Sequence, residues 1–131
     1  MTHRFPVRVY YEDTDLGQVV YYANYLKFIE RGRSEWLRAA GVDQRQLLEQ
    51  HDLAFVVRRV EADYLRPARF DDRLDVITSL DHAGGPKVVV AQSVERDGTV
   101  LFTARVTVVC VDRRTMRPHR LPPGVAAALS G

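Results

Sequence analysis

The chain has 131 residues, 46% of them hydrophobic and 27% charged, with 19 basic against 17 acidic side chains and a formal charge of +2. That size suits one domain, 1–131, with a single hydrophobic core, and the composition excludes a disordered or fibrous protein. Near balance of charge excludes the electrostatic footprint of a nucleic-acid binder. A single cysteine, Cys110, excludes an intrachain disulfide. Its place in an apolar strand pattern predicts a small buried thiol, and a cytoplasmic location follows from that cysteine usage. Residues 1–6 carry no apolar signal core, and no apolar run reaches the length of a membrane span, so neither export nor membrane insertion is expected.

From Phe5 to Tyr11, Val7, Val9 and Tyr11 alternate with Arg8 and Tyr10, the period of a half-buried strand. An acidic turn follows, Tyr11-Glu12-Asp13-Thr14-Asp15-Leu16-Gly17, and leads through Val19 and Val20 to a helix start. Asn24 is the expected N-cap. Tyr25, Phe28, Ile29, Gly32, Trp36, Leu37 and Ala40 then share one helical face, Gly41 supplies the C-terminal cap, and Arg31 is placed to pair with Glu35. A shorter helix is predicted over Asp43 to Gln50, capped by Asp43, with Leu47 and Leu48 inward.

The remainder reads as strands: Ala54 to Leu65, Arg73 to His82, Lys87 to Arg96 and Thr99 to Asp112, with turns at 83–86 and at Asp97-Gly98. A short C-terminal helix is expected at Val125 to Leu129. These elements predict an α+β fold, a curved antiparallel sheet of about five strands around one long central helix. The last strand is apolar on both faces, with Leu101, Val109 and Val111 opposite Phe102, Ala104, Val106 and Val108. A second subunit is the expected cover, so the chain is read as a homo-oligomer.

Chemistry concentrates in the acidic turn. An Asp on a tight loop beside free N–H groups of a helix start combines a base with an oxyanion site. The bland alternative is that Asp13 and Asp15 merely shape the turn. Glu30 and Glu35 are rival carboxylates on the helix, where pairing with arginine is the simpler explanation. His3, His51, His82 and His119 are scattered without metal-ligand spacing, so no metal or other cofactor is expected. Ser34, Ser79, Ser93 and Ser130 lack a nucleophile-elbow context. Arg113, Arg114, Arg117 and Arg120 compete with Arg58, Arg59, Arg66, Arg69 and Lys87 as contacts for an anionic ligand.

The stretch Val7 to Asp15, with Val19-Val20-Tyr21, Asn24-Tyr25 and Phe28-Ile29-Glu30-Arg31, resembles the signature of the hotdog-fold acyl-CoA thioesterases. Within them the chain is most similar to the Tol-Pal-associated branch of the 4-hydroxybenzoyl-CoA thioesterase family, through Ala54-Phe55-Val56-Val57-Arg58, Pro67-Ala68-Arg69-Phe70-Asp71-Asp72 and Val108-Val109-Cys110-Val111-Asp112. The resemblance implies hydrolysis of acyl-CoA to free acid and CoA, with Asp15 as nucleophile or general base and the backbone N–H of Tyr22 as oxyanion donor. It further implies an active site at a subunit interface of a dimer or tetramer, with acyl carrier protein as a second carrier, and makes Asp13 a supporting carboxylate. The branch usually has His where this chain has Tyr22, so no histidine role transfers. The alternatives are a non-catalytic acyl-CoA or acyl-carrier-protein binding module and, last, a hydroxyacyl thioester dehydratase.

Overall fold

The computed structural model describes residues 2–131; Met1, the first residue of the N-terminal stretch read above, lies outside the described residues. Five strands, β1 (Thr2–Arg8), β2 (Leu53–Tyr64), β3 (Arg73–Gly84), β4 (Lys87–Arg96) and β5 (Thr99–Asp112), form one antiparallel sheet. Three helices accompany them: α1 (Asn24–Ala39), α2 (Gln44–His51) and α3 (Val125–Ser130). Strand order is β1-β3-β4-β5-β2. The hairpins β3–β4–β5 therefore occupy the middle, and the strands on either side of α1 and α2 in the chain take the two edges. The β4–β5 connection is the tight Asp97-Gly98 pair, both residues at positive φ, which matches the twist of the strands it joins.

Helix α1 lies across one face of this sheet. Tyr25, Phe28, Ile29, Gly32, Trp36 and Leu37 are all buried, as their spacing predicts, and meet Leu74, Val76, Val90, Val94, Phe102 and Val106. Contact is closest at Gly32, where a Cβ would stand 2.4 Å from Val76 Cγ1. The core also holds a polar group. Gln92 donates through Nε2 to Ile29 O and to Thr78 Oγ1, both at 2.9 Å, and accepts from Arg33 Nη1 at 3.0 Å. The helix is thus pinned to β3 and β4 by hydrogen bonds as well as by apolar contact.

Several expectations are corrected. Strand β1 ends at Arg8 rather than Tyr11, because Asp13 Oδ2 takes the Tyr10 N–H at 2.8 Å and residues 11–13 coil into a single 3₁₀ turn. Asn24 does not cap α1; its side-chain Nδ2 donates to Asp13 O at 2.9 Å. Glu35 pairs with Arg38, not Arg31. Asp43 does cap α2, accepting from Gln46 N, but Leu48 is exposed while Leu47 packs on the core.

The cover for the second face of β5 comes from the chain itself. Strand β5 outruns β4, whose first pair is Lys87 with Val109, and the C-terminal tail fills the vacated place through a Val111–Pro118 bridge and His119 N→Cys110 O at 2.8 Å. Val109, Cys110 and Val111 are buried there. Leu101 sits at a bulge between Val94 and Glu95 of the partner strand and joins the main core. Burial raises the Cys110 thiol above its ordinary pKa, which suits packing and not nucleophilic attack.

Gly32→Ala gains about 1 kcal/mol in helix propensity, but forcing a methyl against fully buried Val76 costs roughly 1–3 kcal/mol. The expected outcome is a lower urea midpoint at unchanged slope, part of which returns when Val76→Ala is added. A single variant as stable as the parent would show that α1 can lift from the sheet freely.

Candidate active site

Residues 13–24 form a loop whose shape is set by its own backbone. Thr14 bridges Val20, Asp15 N donates to Val19 O at 3.0 Å, and Gln18 N donates to Asp15 O at 2.9 Å, so residues 15–18 make the tip of a small hairpin. Asp15 accepts the Gly17 N–H on Oδ1 at 2.8 Å. That bond fixes the carboxylate, and among the described residues Oδ2 has no partner. The turn-shaping account of Asp15 is therefore true of one of its oxygens and leaves the other available to a ligand.

Asp13 holds the other end. Its carboxylate takes Tyr10 N–H, and its carbonyl accepts from Tyr21 N at 2.9 Å and from Asn24 Nδ2 at 2.9 Å. The acidic turn and the first turn of α1 are thereby locked side by side. Tyr22 lies at the entrance of α1, and among the described residues its backbone N–H donates to no acceptor. An uncommitted amide at the start of a helix is a preformed donor for a developing negative charge.

Behind this donor stands an aromatic seam. Tyr22 packs edge-on to Tyr64, with centroids 6.2 Å apart, Tyr64 packs on Tyr25 and Phe102 at 5.4 and 4.9 Å, and Tyr25 stacks on Phe102 at 5.1 Å. Tyr64 also donates its hydroxyl to Tyr22 O at 2.9 Å, which orients the peptide plane before Ala23. Burial holds the Tyr64 and Tyr25 phenols above their ordinary pKa, and the adjoining Tyr22 phenol does the same for Tyr21, with Asp15 a smaller contributor. These three phenols stay protonated at neutral pH and act there as hydrogen-bonding, apolar-faced groups.

The segment after β2 closes the site. Val20 N donates to Ala68 O at 2.8 Å, Ala68 N donates to Tyr25 Oη at 3.0 Å, and Val19 bridges Arg69. Asp72 anchors this segment, accepting Arg69 N at 2.8 Å and pairing with Arg96 at 2.7 Å. Val20, Tyr25, Tyr64, Leu65, Arg66 and Pro67 wall an open recess beside Tyr22.

A family model for the thioesterase-like superfamily matches residues 9–129. The chain belongs to that superfamily. It is 47% identical to the acyl-CoA thioesterase YbgC of Haemophilus influenzae over 124 residues, 95% of this chain and 91% of that one. A probable thioesterase from Bartonella henselae superimposes with a TM-score of 0.88 at 38% identity, covering 93% of this chain and 100% of the other. A 4-hydroxybenzoyl-CoA thioesterase shares the fold with a TM-score of 0.92 at 18% identity, over 98% of this chain and 99% of that one. The five-stranded sheet around α1 is the superfamily's hotdog fold.

Of the residues singled out in the sequence, the structure brings Asp13, Asp15 and Tyr22 together at one loop. Glu30 and Glu35 lie further along α1, Glu30 accepting from Ser34 Oγ at 3.1 Å and Glu35 paired with Arg38. Arg113 and Arg114 pair with Asp52, and Arg59 with Glu61, whereas Arg66 borders the recess. Among the described residues no group of three His, Cys, Asp or Glu side chains is placed to hold a metal ion, and no helix is long and apolar enough to cross a membrane. Tyr64, Asn24 and Asp72 were not picked out by the sequence as site residues. The aromatic at the end of an alternating strand was the available signal for Tyr64.

Tyr64→Phe removes the hydroxyl that holds the Tyr22 carbonyl, one peptide plane beyond the Tyr22 N–H, and keeps the ring in the seam. The expected result in a thioester assay is a fall in kcat of roughly tenfold, the size of one hydrogen bond, with the melting temperature little changed. An unaltered kcat would show that Tyr22 keeps its position without that bond.

Proposed function

We propose that this protein hydrolyses acyl-CoA thioesters, with the Asp15 carboxylate acting on the thioester carbonyl and the Tyr22 N–H receiving the carbonyl oxygen. The observation that carries this reading is the juxtaposition of a carboxylate anchored by one oxygen with a helix-entrance amide that has no acceptor of its own. The relative named as an acyl-CoA thioesterase, similar over almost its whole length, supports the same reaction. Two routes satisfy the geometry. In one, Asp15 Oδ2 attacks the carbonyl carbon, the C–S bond breaks with departure of CoA thiolate, and water then cleaves the mixed anhydride. In the other, Asp15 takes a proton from water as that water attacks, and the proton passes to the departing sulfur. Either way the negative charge passes through the carbonyl oxygen, where an amide donor is worth about 3–4 kcal/mol.

CoA is the proposed carrier, with acyl carrier protein as a second one. We place the reaction in the cytoplasm, a compartment that keeps Cys110 reduced. The proposed assembly is a homo-oligomer. Among the described residues strand β2 pairs only with β5, and its outer edge from Val57 to Tyr64, with Leu65 just after it, is exposed together with the side chains of Val57, Val60, Tyr64 and Leu65. A long exposed strand edge leaves its backbone groups unpaired, and a second copy pairing edge to edge covers it symmetrically.

Asp15→Asn still accepts the Gly17 N–H, so the loop should hold while free-thiol release from acyl-CoA falls by about two to four orders of magnitude. Turnover near the parental value would remove Asp15 from the mechanism, and binding without release by the parent itself would favour a binding module. Tyr22→Phe leaves the backbone donor in place and should cost less than about tenfold; a loss as deep as that of Asp15→Asn would assign the phenol to the chemistry. Light scattering at micromolar concentration should return a dimer or tetramer, and a monomer would overturn the assembly.

A further inference from the structure

Roughly three turns along α1 from its entrance, a slot of about 160 Å³ opens between the helix and the sheet. Phe55, Val57 and Val90 make much of its wall apolar, Arg33 lines it from the helix, and Glu30, Ser34 and Gln44 add polar atoms. Arg33 is held inward by the bond from Nη1 to Gln92 Oε1, and Gln92 is fixed in turn by Ile29 O and Thr78 Oγ1. A guanidinium carries five N–H donors. Among the described residues this is the one hydrogen bond the Arg33 side chain makes, and no carboxylate stands within ion-pairing distance of it. Glu30, three residues before it on the helix, is exposed, with Ser34 donating to its Oε1, and Glu35, two residues after it, pairs with Arg38.

A partly buried cation with no acid in ion-pairing contact is uncommon, because desolvation penalises the charge. Burial accordingly pulls the Arg33 pKa down, with Glu30 opposing that pull. The spare donors of Arg33 at a largely apolar slot make a receptor for a carboxylate. A cavity of about 150 Å³ takes a benzene-sized group, so the slot holds a chain of roughly six carbons.

We propose that this slot receives the acyl group and that Arg33 recognises a carboxylate at the far end of the chain, making thioesters of short dicarboxylic acids the preferred substrates. The proposal rests on the thioesterase reading and on the β2 pairing above. Within one copy, Val57 at the slot and Tyr64 beside Tyr22 are separated by seven residues of strand, about 23 Å, too far for a short chain to bridge. Antiparallel pairing of two β2 edges about a two-fold axis brings the start of one strand to the end of the other. The slot of each copy then faces the Asp15 turn of its partner. Glu30, which also lines the slot, disfavours an anion beside itself, which leaves Arg33 as its place.

The test compares hexanoyl-CoA with the CoA thioester of hexanedioic acid, equal in length and differing in the terminal carboxylate. The parent protein should show kcat/KM at least about tenfold higher for the dicarboxylic thioester, the worth of one charge-assisted hydrogen bond. In Arg33→Gln that ratio should fall to near one, while Arg33→Lys should keep part of it, each variant being checked for its melting temperature. Should Arg33→Gln fail to fold, the parent decides alone: a ratio of one or less overturns the role of Arg33. Hydrolysis of hexanoyl-CoA with no gain from the carboxylate leaves the thioesterase standing and sinks this inference, whereas no hydrolysis of any acyl-CoA sinks both.

Discussion

The arrangement depends on Asp13. One residue accepts three hydrogen bonds from three places in the chain: Tyr10 N on its carboxylate, and Tyr21 N and Asn24 Nδ2 on its carbonyl. The first ends β1 and starts the acidic turn; the other two dock that turn against the entrance of α1. Residues 14–20 consequently form a hairpin whose two ends are fixed, and the orientation of Asp15 follows from backbone bonding. An exposed loop is ordinarily the most mobile part of a fold. Here it is tied on both sides and carries the pre-organisation that a carbonyl-directed carboxylate needs.

The second constraint is the fit of α1 to the sheet. Gly32 permits the helix to approach Val76 closely, and Gln92 bonds to the Ile29 carbonyl within the contact. Apolar contact alone leaves a helix free to slide along its axis, whereas a bond from a buried amide to one particular carbonyl selects a register. That register fixes where the N-terminus of α1 ends, and with it the position of the Tyr22 amide relative to Tyr64 on β2. The loop proposed to carry the chemistry and the polar cluster in the core are thus linked through a rigid helix.

The periodic parts of this design were legible in the sequence. Face assignments along α1 and the three-strand meander follow from spacing, since burial of Tyr25, Phe28, Ile29, Trp36 and Leu37 needs no knowledge of partners. Asp15 and Tyr22 enter as candidates through a resemblance of motif, and the acidic turn before the helix gives a physical reason to look there. What escaped was set by contacts between distant segments. Asn24 has the chemistry of an N-cap, and only the proximity of the Asp13 carbonyl diverts its side chain. The end of β1 was misjudged because alternation persists through Val9 and Tyr11, while the bond from Tyr10 N to Asp13 breaks the strand. The cover of Val109 and Val111 depends on a tail whose residues 113–120 are all exposed and carry no strand signal of their own.

The functional groups in the loop are few: one carboxylate and one main-chain N–H. Neither discriminates among acyl groups, because a thioester carbonyl is the same whatever follows it. Selectivity therefore has to reside in side chains that meet the acyl chain beyond the carbonyl. In this fold the Tyr25–Tyr64–Phe102 seam fills the space directly behind Tyr22, leaving little depth within the same copy. The depth that exists lies under the middle of α1, at the start of β2. In the proposed assembly, a loop and a slot separated by the length of one edge strand are united through that edge, and the free edge of β2 then belongs to the proposed site as much as to the pairing of copies.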